Sequence, residues 1–163
     1  MEIFMKQQEM EVIVRRVLNE LGTGVAMSLK LATGLIAQTE AKAQELGVHA
    51  VIAVSDASGR PVAVHCMDGA YIGSYDVALN KTYTAVAFQM PTDRLAALAA
   101  PGGELYGVQN TNDGKIVIFG GGEPLYLGDV MIGAIGVSGG TAEQDTLLGR
   151  YAKNKLKDVI AWK

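Results

Sequence analysis

The chain is predicted to fold as an α+β domain in which helices flank a five-stranded, mainly antiparallel sheet. Three observations carry that prediction. Apolar residues recur at three- and four-residue spacings near both ends of the chain, the signature of amphipathic helices. β-Branched runs with a period of two fill much of the remainder, and several connections are short enough for hairpins. Finally, 163 residues with 49% hydrophobic and 19% charged composition suit one domain spanning 1–163, large enough to bury a core without a metal or disulfide.

The elements follow in order. Met10, Ile13, Val14, Val17, Leu18 and Leu21 share one side of a helix over 8–21, with Arg15, Arg16, Asn19 and Glu20 opposite. Gly22 and Gly24 stop it, and the segment 1–22 is a candidate oligomer contact. A second helix runs from Ser28 to Leu46, its inner side formed by Leu31, Leu35, Ile36, Ala43 and Leu46, with Gly47 beyond its end. The runs His49–Ser55 and Pro61–Cys66 flank Asp56–Arg60 and form a hairpin. Helix returns from Ser74 to Gln89, closes at Met90-Pro91, and resumes briefly over Thr92–Ala99 until Pro101-Gly102-Gly103. Lys115–Phe119, Leu125–Leu127 and Val130–Val137 read as three more strands, the last two joined by Gly128-Asp129. The last strand is apolar throughout, as a central strand covered on both faces must be. A closing helix begins at Thr141, with Leu148, Ala152, Leu156, Val159 and Ile160 as its stripe.

Composition excludes several functions. The net charge is −3, and the basic run Lys153–Lys157 has the spacing of a solvated helix face, so no nucleic-acid footprint exists. No apolar run approaches the ~18 residues of a membrane span. The N-terminus lacks a signal-peptide core, and the single cysteine, Cys66, fits a reducing compartment. A soluble cytoplasmic protein is expected.

The stretch Gly133–Asp145, GAIGVSGGTAEQD, has the strand–glycine loop–helix form of a phosphate cradle. Its spelling is wrong for a nucleotide: no lysine follows the glycines, and no parallel strand follows the helix. Thr141 and Gln144 instead spell a capping box. The backbone of Ser138, Gly139 and Gly140 is either a plain turn or a seat for an anion. Gly120, Gly121 and Gly122, between Phe119 and Pro124, exceed the needs of a turn. They suggest close approach by another group, whether ligand or partner subunit. Lys81 shares a helix face with Ala78, Ala85 and Phe88. It either snorkels to a surface carboxylate such as Asp68 or Asp76, or reaches into a cavity to hold an acidic ligand. If Val54 pairs with Val62, His49 and His65 lie diagonally on one sheet face. They are then a candidate haem or metal pair, or simply polar surface. Cys66 is expected to pack as a small hydrophobe. No nucleophile–base–orienter set is legible, which points away from an enzyme.

The ordered set Val54-Ser-Asp-x-x-Gly59, Met67-Asp-Gly-Ala70, Ser74-x-x-x-Ala78-x-x-Lys81-x-x-Thr84-Ala85, Gly120-Gly-Gly-x-Pro124 and Gly133-x-x-Gly-Val-Ser-Gly-Gly140-x-x-x-Gln-Asp145 resembles the GlcG/HbpS-type family, also seen as the C-terminal domain of PduO-type proteins. The resemblance implies a profilin-like domain that assembles into homo-oligomers, from dimers to octamers. It also implies haem binding in some members, and in others a place beside diol, glycerol or glycolate utilisation enzymes. Adenosyltransferase activity belongs to a separate PduO domain and is not expected here. Two departures stand out: Cys66 occupies a position where relatives commonly carry arginine, and the N-terminal helix offers no histidine. The resulting expectation is a non-enzymatic, oligomeric small-ligand-binding protein. Its site residues are Lys81, Phe119, Gly120, Gly121, Gly122, Pro124, Ser138, Gly139, Gly140 and Asp145. The alternatives are haem binding or haem breakdown, with His49, His65, a methionine or a tyrosine as ligand, and a structural assembly factor for a metabolic enzyme.

Overall fold

The computed structural model describes Ile13 and residues 26–161, so the expected helix over 8–21 lies outside the described residues except at Ile13. Helix α1 (Leu29–Glu45) begins where the Ser28 hydroxyl accepts the Leu31 N–H at 3.2 Å, an N-cap, and ends before Gly47, whose φ of +66° suits glycine. Strands β1 (Val51–Asp56) and β2 (Pro61–Cys66) form the expected hairpin. Helices α2 (Ser74–Phe88) and α3 (Thr92–Ala99) follow, separated by Pro91. Strands β3 (Gly122–Leu127) and β4 (Val130–Ser138) turn at Gly128-Asp129, and α4 (Ala142–Ala161) closes the described chain.

All strand pairs are antiparallel, in the order β2-β1-β4-β3. The sheet of the described residues therefore has four strands, one fewer than expected. Lys115–Phe119 is the missing one. Its backbone is engaged elsewhere: the Val117 N–H donates to the Thr84 hydroxyl on α2 at 3.0 Å. Ile116 and Val117 are buried all the same, so the run satisfies the hydrophobic pattern of a strand without joining the ladder. The place beside β4 is taken by Gly122–Leu127.

Helices α1 and α4 cover one sheet face and α2 the other. The first interface holds the main core, with Leu35 and Ile36 of α1, Ile52 and Val54 of β1, Ile135 and Val137 of β4, and Leu148 of α4. Each such side chain contributes about 1.5–3 kcal/mol by leaving water. The second face holds a smaller cluster of Val51, Ala53 and Ala78. There α2 sits directly on β4, because a β-carbon on Gly136 would overlap the Ala78 carbonyl. That close approach points Lys81 into the sheet.

The β1–β2 register differs by one residue from the expected pairing: Val54 faces Ala63, and Ile52 faces His65. A single-residue shift exchanges the faces of a strand. Position 65 shares the face of Ile52, whereas position 49 lies before β1 and outside its ladder with β2. The expected diagonal pairing of His49 with His65 is therefore not made. The same shift leaves Cys66 exposed rather than packed inside.

Candidate functional site

Lys81 is fully buried. Its Nζ donates to the Val137 carbonyl at 2.6 Å and to Asp145 Oδ2 at 2.8 Å, and it lies 4.9 Å from the centroid of the Phe119 ring. The other Asp145 oxygen accepts the Gly140 N–H at 2.9 Å. Burial pushes the lysine pKa below its ordinary value, and the Asp145 carboxylate opposes that shift. Thus Lys81 does leave the solvent, but its partner is neither Asp68 nor Asp76. An acid supplied by the protein itself, Asp145, already neutralises it.

Both glycine bends close on this junction. A β-carbon on Gly121 would stand 2.6 Å from the Val137 oxygen and 2.7 Å from Lys81 Nζ, and one on Gly122 would stand 2.7 Å from the Lys81 carbonyl. At Gly120 it would overlap the Thr146 hydroxyl. The group approaching the triple glycine is therefore the protein interior. Pro124 lies within β3 opposite Ala134. In the second bend, the Gln144 side chain accepts the Thr141 N–H at 2.9 Å and the Thr141 hydroxyl accepts the Gln144 N–H at 3.2 Å, forming the expected capping box. With Gly140 also donating to Asp145, these amides already have acceptors.

Beside the junction runs an open groove of about 770 Å³, lined by Phe119, Gly120, Leu147, Arg150, Tyr151 and Asp93 among others. Sequence reasoning gave no sign of a buried acid that faces Arg150, one of the residues lining this groove. Glu123 is buried, pairs with Lys153 at 3.1 Å and lies 3.7 Å from Arg150. Burial raises its pKa, and Lys153 opposes the rise.

A second hollow, of about 490 Å³, lies where the β1–β2 hairpin opens, lined by Glu40, Gln44, His49, Cys66, Met67 and Asp68 among others. His49 Nδ1 is 2.7 Å from the Asp68 carbonyl oxygen. A carbonyl only accepts, so Nδ1 carries the hydrogen, and in the neutral imidazole Nε2 then has the lone pair. His65 pairs at 2.9 Å with Glu40, which lines the same hollow. The Ser138–Gly140 bend reaches the hairpin end as well: a β-carbon on Gly139 would overlap the His49 carbonyl, and the buried Ser138 hydroxyl donates to Ser74 at 3.2 Å. The structure therefore brings Lys81, Phe119, Gly121, Gly140 and Asp145 together as a closed junction, and gathers His49, Asp68, Ser74, Ser138 and Gly139 at the sheet end.

Residues 27–153 match the family described as "Haem degrading protein HbpS-like". The chain is 44% identical over 133 residues to an uncharacterized 15.0 kDa protein from the dhaT-dhaS intergenic region of Citrobacter freundii, covering 82% of this chain and 94% of that one. It is 37% identical to the corrinoid adenosyltransferase PduO of Salmonella typhimurium, covering 80% of this chain but only 39% of PduO. Its fold is similar to that of PduOC in a haem complex, with a TM-score of 0.77 and 35% identity over 80% of this chain and 94% of that one. No helix among the described residues is long and apolar enough to cross a membrane. By fold, by ordered motifs and by sequence match, the chain belongs to the HbpS-like family.

Proposed function

We propose that this chain is a haem-binding protein, acting as a homo-oligomer and without adenosyltransferase activity, with His49 as the axial ligand. The carrying observation is the His49 imidazole. Its Nδ1–H is held by the Asp68 carbonyl and the residue lines a hollow; in the neutral imidazole Nε2 then has the lone pair, the arrangement that orients a metal-binding histidine. The donor set suits a haem iron, and the PduOC complex with haem supports the ligand class. When bound, haem supplies an iron that changes oxidation state. The residues of the chain hold and orient it.

The test is a haemin titration followed at the Soret band. A saturable shift is expected, lost or weakened at least about tenfold, or 1.4 kcal/mol, in His49→Ala and retained in His65→Ala. An unaltered titration in His49→Ala would remove the ligand assignment, and no saturable shift in the unmodified protein would end the haem reading.

A second reading places a small ligand in the groove beside Phe119. It is favoured by the 43% and 46% exposure of Phe119 and Leu147 along that groove. Thermal shifts with propane-1,2-diol, glycerol and glycolate check it. A shift abolished by Phe119→Ala supports this site, and no shift with any of the three rejects it.

A further inference from the structure

Residues 27–153 are the part of the chain that matches the family, so the apolar stripe expected over 8–21 lies ahead of that shared part, on the far side of Gly22 and Gly24. Its spacing is that of a helix-pairing seam. Met10, Val14, Val17 and Leu21 recur at four, three and four positions, as a and d residues do in a coiled coil. Ile13 and Leu18 fall at the two edges of the seam. Ile13, which the structure describes, is helical and 61% exposed. A helix shorter than about 15 residues is marginal in water by itself, so this stripe is stable as a helix only against another surface. The charges beside the seam select that surface. At about 100° per residue, Lys6, Glu9, Arg16 and Glu20 fall on the Ile13 side, and Glu11 and Arg15 on the Leu18 side. In an antiparallel helix pair like sides adjoin, and a residue before the midpoint meets one equally far beyond it. With the midpoint near position 13, Glu9 meets Arg16, Lys6 meets Glu20 and Glu11 meets Arg15 of the second helix, each twice by symmetry. Met10 then lies against Val17. A parallel pair in register would instead bring Glu9 level with Glu9 and Arg16 level with Arg16.

We infer that residues 8–21 of two copies of this chain pair as antiparallel helices about Ile13 and so join subunits of the homo-oligomer. This inference rests on the homo-oligomer reading, to which it adds the contact, and it is independent of haem. The surface is self-complementary in both shape and charge, as a two-fold interface requires.

The test uses the full chain without haem. Sedimentation equilibrium and native mass spectrometry give the association constant and subunit count of the parent, of Glu9→Arg/Glu11→Arg and of Arg15→Glu/Arg16→Glu. Each double variant sets like charges together in its own pair, so association should weaken by at least about tenfold. Mixed with each other, the two variants should recover the parent's association as a mixed species, because one is basic where the other is acidic. Orientation is read by oxidative cross-linking in a Cys66→Ser background. Ile13→Cys should form a disulfide between copies. Met10→Cys should not, since its counterpart would lie about 9 Å away along the pair, beyond the reach of a disulfide. The reverse pattern of cross-linking overturns the antiparallel arrangement, and failure of the mixed variants to recombine overturns the charge pairing. A monomeric parent removes the homo-oligomer reading together with this inference. An oligomer that is unchanged in both double variants keeps that reading and overturns the contact alone.

Discussion

Replacing Asp145 with alanine would leave the Lys81 ammonium buried without its counter-charge. At the observed 2.8 Å, the direct attraction is about 6 kcal/mol for an effective dielectric near 20. Much of that is offset by the cost of taking both ions out of water, and losing one member of a buried pair typically costs about 3–5 kcal/mol. The Gly140 N–H, which Asp145 also holds at 2.9 Å, loses its acceptor in the same step. For a chain of this size each kcal/mol moves the thermal midpoint by about 2–4 °C, so a fall of roughly 6–20 °C is expected. Urea denaturation and differential scanning fluorimetry measure it directly. A Lys81→Met/Asp145→Leu double variant removes both charges and should recover most of the loss, because an apolar pair of similar volume can replace a buried ion pair at little cost. Should Asp145→Ala unfold within about 1 kcal/mol of the parent, well short of that range, the pair is not structural. A double variant no better than the single one would show that lost packing, and not an unpaired charge, causes the damage.

Two further outcomes follow from the geometry. Burial raises the folded-state pKa of Glu123 above its ordinary 4.5, so the folded chain holds that proton more tightly than the unfolded one. Its favourable contribution is present below 4.5 and is lost as pH rises through the folded value. Comparing urea stability of Glu123→Gln with the parent from below 4.5 to neutrality should show the parent losing ground as pH rises, and a flat difference contradicts this account. Thr141→Ala removes half of the capping box and should cost about 0.5–2 kcal/mol, read by the same denaturation. An unchanged midpoint means that the α4 N-terminus is held by other contacts.

Helices α1 to α4 and the β1–β2 hairpin were legible because their spacing and stop signals are local. Ser28, Gly47 and Pro91 mark boundaries through their own backbone chemistry. Lys115–Phe119 misled because a buried apolar run has the same pattern whether its amides face a strand or, as here, the Thr84 hydroxyl on a helix. The hairpin register shifted because Ser55 pairs with Pro61 across an irregularity in the ladder. That displacement decides which sheet face His65 and Cys66 take, and nothing in the alternation announces it. Lys81 and Asp145 were both picked out, but their pairing spans 64 positions, a separation over which spacing carries no information. Glu123 gave no signal, since a glutamate beside three glycines reads as a loop residue until β3 and α4 are seen to bury it.

The crowding around Gly120, Gly121 and Gly122 has a practical consequence for anyone redesigning the protein. Carbonyl oxygens, two threonines and the lysine ammonium already occupy the space that methyl groups would need at these positions. Saturation mutagenesis there would sort variants by whether they fold, and would say little about what they capture. A library meant to change cargo preference belongs instead at the exposed positions 49, 66, 68, 71 and 72, with Met67 and Ala70, which pack against the core, and Gly69, whose φ is +81°, left unchanged.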